Sequence, residues 1–240
     1  MPAETSPRPA PAPRTARAVA RTELTRAILD SAGRQLAAVG PAALSLRAVA
    51  RDLEMASSAV YRYVESRDAL LTALIVEAYD ELGEAVEQAD AERARDDLAG
   101  RWRALAHAVR DWAVAHPHRY ALTYGSPVPG YAAPYDTVGP ATRTSRALLT
   151  LLSDAERAGR TPLAGGAGVS RAEQEAVAPV AELVDPAPGT AYVVAGLQAW
   201  ATLVGQVSLE LFGHLHRGVL DHDVHYETVV GRVGEELGLV

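Results

Sequence analysis

The stretch Ser57-Ser58-Ala59-Val60-Tyr61-Arg62-Tyr63-Val64 carries the side chains best suited to chemistry in this chain, and that chemistry is recognition of a polyanion. On a helix, Val60 and Val64 fall at i, i+4 and turn inward, which leaves Ser57, Ser58, Tyr61 and Arg62 on the opposite arc. Small hydroxyls at the start of a helix allow close approach to base edges. Arg62 reaches phosphate or guanine, and the Tyr61 hydroxyl can bond a phosphate oxygen. Ser45 and Arg47 open the preceding segment, where a DNA backbone would pass, and Arg67 opens the following one. An arginine in a first helical turn opposes the helix dipole, a conflict that an external anion relieves.

Positioning such side chains takes short helices held close together, and the hydrophobic pattern supplies them. Leu24, Ile28, Ala32, Leu36 and Val39 recur at helical spacing until Gly40-Pro41 stops the helix. Ser45 is a good N-cap for a second helix carrying Leu46, Val49, Ala50 and Leu53 on one side. A third helix is predicted over 57–64. Ser66 caps a long fourth one, with Leu70, Leu71, Leu74, Ile75, Ala78 and Leu82 inward. Only Glu65-Ser66 separates helices three and four, which predicts rigid coupling between them. Two short helices, a tight turn and a following helix are the layout of a helix-turn-helix that lays its second helix in the major groove.

Further along, one stripe of Leu98, Trp102, Leu105, Val109, Trp112 and His116 predicts a helix over about 97–116, with Pro117 at its end. A Pro/Gly loop fills 125–140. Helices follow at about 140–159 and 171–183, on either side of a Gly-rich stretch at 159–170. Two closing helices over about 191–216 and 223–238 carry the stripes Val193, Leu197, Trp200, Val204, Val207, Leu211 and Tyr226, Val230, Val233, Leu237. Such a pair resembles half of a four-helix bundle. No segment alternates as a strand does, and the predicted fold class is all-α.

Charge divides along the chain. Residues 1–67 hold ten arginines against six acids, a balance of +4, whereas residues 68–240 hold thirteen against twenty-four, a balance of −11. A basic head on an acidic body points to a polyanion partner at the head alone. Lysine is absent. So is cysteine, which excludes disulfides, thiolate metal sites and cysteine nucleophiles and suits a reducing, cytoplasmic setting. The Pro/Ala/Arg-rich beginning has no apolar core of a secretory signal and predicts a flexible tail, whose Arg8, Arg14 and Arg17 are within reach of a DNA backbone. No apolar run is expected to span a bilayer, so a membrane partner is not predicted.

From Arg21 to Leu74 the chain resembles the DNA-binding domain of the TetR family of transcriptional regulators. An ordered set of motifs carries the resemblance: a first helix ending in Gly, Ser45-x-Arg47-x-Val49-Ala50, the aromatic recognition helix AVYRYV, and Ser66-Arg67-Asp68-Ala69-Leu70. It implies DNA contacts at Ser45, Arg47, Ser57, Ser58, Tyr61, Tyr63 and Arg67. Arg62 is added on geometry. The chain departs from the pattern at Glu54, which stands where the turn usually has Gly, and at Ala56, which replaces the usual Ser or Thr cap.

The resemblance further implies a helix-turn-helix head over 19–66, after a tail at 1–18, and a ligand-binding and dimerisation body over 67–240. The body resembles a subgroup with a Trp-His-Gly signature, matched here by Trp200 and Gly205 with Val204 in place of the histidine. Trp102, Trp112, His116, Tyr120, Tyr124 and Trp200 are candidates to line an apolar cavity with a few polar tips. The dimer interface is expected at Leu197, Val204, Leu211, Tyr226, Val230, Val233 and Leu237. The expected partners are operator DNA, a small-molecule inducer and a second copy of the chain, with no cofactor. His214, His216, Asp221, His222, Asp223 and His225 cluster in sequence. The first two point apart at i, i+2, so no metal is expected there. A competing reading, an all-α enzyme using His116 or this cluster, finds no nucleophile–base spacing to support it.

Overall fold

The computed structural model describes residues 16–163 and 168–240. All regular structure among these residues is helical. The helices are α1 (Ala16–Val39), α2 (Leu46–Asp52), α3 (Ser57–Val60), α4 (Arg67–Ala91), α5 (Leu98–Ala115), α6 (Pro117–Tyr124), α7 (Val138–Ala141), α8 (Arg143–Arg157), α9 (Arg171–Ala181), α10 (Thr190–Leu211) and α11 (His222–Glu236). The expected tail and its Arg8 and Arg14 lie outside the described residues. Arg17 falls in the first turn of α1, ahead of Val19, where the hydrophobic pattern begins. The chain divides into two compact units between Leu70 and Leu71, inside α4.

In the first unit, Ile28, Ala32, Leu36, Leu46, Val49, Ala50, Val60, Val64 and Leu70 form the core, as their spacing requires. A polar brace adds to it. Asp52 accepts hydrogen bonds from Ser31 Oγ and Arg34 Nη2, each at 2.6 Å, which fixes the end of α2 on α1.

In the second unit, α5 is central. Its Trp102, Leu105, Ala106 and Val109 are fully buried, and Trp112 nearly so. Trp102 Nε1 donates to Val230 O at 2.9 Å and Tyr226 Oη to Ala106 O at 2.8 Å, so α5 and α11 are joined by hydrogen bonds as well as packing. Arg101, also buried, donates to Asp90 at 2.7 and 3.1 Å and to Asp154 at 2.9 Å. A guanidinium taken out of water is retained only when paired in this way. Asp97, Ser170 and Asp221 cap α5, α9 and α11 with side-chain acceptors. α10 is 22 residues long and holds an 18-residue stretch with a mean hydropathy of 1.2, long and apolar enough to cross a bilayer, which the sequence reading did not expect. Its Tyr192, Val193, Ala199, Leu203 and Val207 are buried in the helical core, where Gly196 lets α10 approach Leu152 of α8.

Candidate nucleic-acid interface and body cleft

α2, the turn and α3 present the expected face. The turn is made at Glu54, with φ of 54°, so the left-handed conformation usual for glycine at this position is kept although the residue is glutamate. Ala56 occupies the N-cap of α3 without a side-chain hydrogen bond. α3 ends at Val60, short of the expected 57–64, because i→i+3 bonds take over: Arg62 N–H donates to Ala59 O at 3.2 Å and Tyr63 N–H to Val60 O at 2.9 Å. Val60 and Val64 remain buried, so the tighter winding preserves the inward face.

Arg47, Ser57, Ser58, Tyr61 and Arg62 are exposed, and Tyr61 keeps 47% of its surface open. Ser45 sits at the N-cap of α2 but does not cap it. Its side chain accepts nothing there, while its N–H is held by Gln35 Oε1 at 3.4 Å. Among the described residues Arg17, Arg21, Arg47, Arg51 and Arg62 form no ion pair. Arg26 and Arg34 are spent on Asp30 and Asp52. Arg67 is committed too. Its guanidinium donates to Pro41 O at 2.8 Å, Ala42 O at 3.3 Å and Leu44 O at 3.3 Å, and lies 3.5 Å from Asp68. Rather than waiting for an anion, it closes the carbonyl end of the 3-10 turn Pro41–Ala43 against the start of α4. Ser66 Oγ caps α4 by accepting from Ala69 N–H at 3.0 Å, as its sequence position predicts.

The predicted pocket residues separate. Trp102 is wholly buried with its indole N–H satisfied by Val230, so it is core and lines no cavity. Trp112 and His116 pair at 5.5 Å, and His116, exposed, stands 3.0 Å from Trp112 O at the end of α5. Tyr120, Tyr124 and Trp200 do come together: Tyr124 lies 5.1 Å from Tyr120 and 6.0 Å, edge-on, from Trp200. Tyr120 is fully buried, and its hydroxyl is within 2.9 Å of both Val204 O and Ser208 Oγ. Burial, and then the neighbouring Tyr79 and Tyr120 hydroxyls, push the Tyr124 phenol well above its ordinary range, so it stays a neutral donor.

Of the six candidates only Trp200 lines the apolar cleft between α8, α9 and α10, a half-open crease with a free volume of about 30 Å³. Ser145, Leu148, Leu149, Val180 and Val193 complete its walls. Sequence reasoning missed these because it sought polar-tipped aromatics. The signal lay in the side of α8 that bears Ser145, Leu148 and Leu149.

The dimer expectation needs correction for one helix. Tyr226, Val230, Val233 and Leu237 are 2%, 0%, 6% and 1% exposed, because the α11 stripe is consumed by the protomer's own core. Val204 and Leu211 are half-buried. Leu197 is exposed at the rim of the cleft, and Leu209, Phe212, Leu220 and Val224 also face outward. Among the described residues no group of three or more metal-ligating side chains stands ready to hold an ion.

The comparisons follow the same division. Residues 28–74 match a family described as bacterial regulatory proteins, tetR family, and residues 102–233 match the tetracyclin repressor-like C-terminal domain. An HTH-type transcriptional regulator of Mycobacterium tuberculosis, and one of Mycobacterium bovis, is 45% identical over 207 residues, covering 81% of this chain and 83% of the relative. The chain belongs to the TetR family. It is a transcriptional regulator of that family with an N-terminal DNA-binding domain. The solved regulatory protein SCO4313 superposes with a TM-score of 0.74 at 34% identity, covering 91% of this chain and 98% of that one. A tetR-family regulatory protein from Rhodococcus RHA1 shares the fold, with a TM-score of 0.60 at 16% identity over 89% of this chain and 96% of its own. The matches establish the TetR family and not the Trp-His-Gly subgroup.

Proposed function

We propose that this TetR-family protein is a cytoplasmic, homodimeric repressor that binds a palindromic operator and is released from it by a small apolar or amphipathic molecule. The observation that carries the DNA reading is the face formed by Ser45, Arg47, Ser57, Ser58, Tyr61 and Arg62. Its guanidiniums have no carboxylate partner, whereas Arg101, Arg110, Arg119 and Arg143 of the acidic body are all paired. Arg67 supports this face by bracing the backbone before α2. A dimer would set two such faces on half-sites about 34 Å apart or slightly more.

The effector site is assigned to the cleft between α8, α9 and α10, whose walls are apolar apart from the Ser145 hydroxyl and the Trp200 indole. The dimer face is assigned to the outward side of α10, at Leu209 and Phe212, with Val224 of α11. Effector entry would displace α8, change the spacing of the two reading heads and lose the operator match, a shift between two populated states. The role is regulatory, not catalytic.

Binding of the full-length protein to duplexes selected from a random pool tests the DNA reading. Affinity should favour an inverted repeat and fall steeply with salt. Failure to select any sequence sinks it. Leu209→Asp with Phe212→Asp should convert a dimer to a monomer in sedimentation, and an unchanged mass would remove the assigned face.

A further inference from the structure

Arg21 lies outside the helix-turn-helix, on α1, yet its guanidinium carbon stands over the ring of Tyr63 at 5.5 Å from the centroid. Tyr63 follows Arg62 in the turn that continues α3, so this contact brings a cation from a different helix to the edge of the reading face. Arg21 is exposed and has no ion pair among the described residues, and Tyr63 is half-buried.

The manner of holding matters. A carboxylate holds arginine through its in-plane N–H groups and so consumes them. An aromatic face holds it through the charge and the flat surface of the guanidinium and leaves the donor fork free. Arg67 shows the opposite arrangement, with its donors spent on Pro41, Ala42 and Leu44 carbonyls. Arg21 is thus placed and still able to bond. Arg17 stands one turn earlier on the same side of α1, with no carboxylate claiming it among the described residues either.

We propose that Arg21, seated on Tyr63, is a DNA-backbone contact, and that Tyr63 is its positioning residue and does not read bases itself. A phosphate bonded by the free fork would fix the register of α3 in the groove without adding sequence information. The proposal rests on the DNA reading given above.

The test uses full-length protein and a fluorescein-labelled duplex selected by the wild type from a random pool, with anisotropy titrations across roughly 50–300 mM salt. Arg21→Ala should weaken binding about three- to tenfold at ~100 mM salt and reduce the slope of log K against log[salt] by about 0.9, the value of one phosphate. Arg21→Lys should restore the slope but not the full affinity, since lysine keeps the charge and lacks the fork. Tyr63→Phe keeps the ring and should bind as wild type, whereas Tyr63→Leu should lose affinity. Wild-type slope and affinity in Arg21→Ala, with the wild type binding normally, overturns the Arg21 assignment alone. A loss in Tyr63→Phe equal to that in Tyr63→Leu overturns the positioning role. A wild type that selects no duplex overturns the DNA reading and this proposal with it. Unfolding midpoints of all four variants within a degree or two of wild type, by roughly the usual stability–temperature relation, exclude misfolding, and Arg21→Gln provides a second neutral substitution.

Discussion

Glu54 is the residue at which the head departs most from its family's pattern and the one whose cost is simplest to state. At φ of 54° a side chain with a Cβ is strained by about 1 kcal/mol. Glu54→Gly should therefore stabilise the protein only slightly, by about 0–0.6 kcal/mol, measured by chemical denaturation, after the greater freedom of glycine in the unfolded chain is subtracted. Asp52 gives a pH signature. Hydrogen bonds from Ser31 and then Arg34 hold its carboxyl below the ordinary value of 3.8. A depressed folded pKa stabilises above the unfolded value and is lost as pH falls through the folded one. Asp52→Asn should thus flatten the acid limb of the stability profile below about pH 4 and weaken the brace at neutral pH, as thermal melts across pH would record. In the body, Tyr120→Phe removes a buried hydroxyl shared by Val204 O and Ser208 Oγ and should cost about 1–2 kcal/mol.

At the scale of elements, two arginines tie other helices to α4. Arg119 of α6 reaches Glu81, and Arg143 of α8 reaches Asp80 at 3.0 Å and Glu87 at 2.6 Å. Arg143 lies flat across Gly83: a Cβ there would meet the Arg143 Cβ at 2.7 Å and Nε at 2.8 Å. Gly83→Ala gains about 1 kcal/mol of helix propensity but expels Arg143 from its seat, so it should be neutral or destabilising in the wild type. An Arg143→Ala background removes the Nε and Cδ contacts but keeps the Cβ at 2.7 Å, so Gly83→Ala should stay neutral or destabilising there too, as a double-mutant cycle would read. Arg101 marks a costlier junction, between α4, α5 and α8. Arg101→Ala strands Asp90 and leaves the buried Asp154 only Arg95 and Arg157, and should cost about 3 kcal/mol in denaturant unfolding. The helices themselves were legible from sequence, since spacing of Leu and Val residues marks a buried side wherever one exists. Which partner buries that side was not. The Tyr226–Leu237 stripe has the same period whether it meets a second copy or α5. Arg67, likewise, reads as a free cation until the Pro41–Leu44 carbonyls are seen around it.

For the whole molecule, the division into a basic head and an acidic body was visible as a charge count, and the structure gives it a mechanism. The body's Arg101, Arg110, Arg119 and Arg143 are neutralised by acids on neighbouring elements, whereas Arg47 and Arg62 of the head's face are left for a partner. Raising salt from about 50 to 200 mM should therefore weaken DNA binding by orders of magnitude while leaving the buried body pairs intact, which parallel binding and unfolding titrations would separate. The cleft was not legible, because its walls come from three successive helices whose mutual packing their spacing does not reveal, and only Trp200 announced itself. The bond from Trp102 to Val230 spans 128 residues. It makes the order of synthesis consequential: α5 is translated early and α8 and α10 can begin to cover it, yet its indole N–H has no partner until α11 is made. The body therefore completes its core only with the last helix, while the head, whose contacts are local, has everything it needs to close earlier.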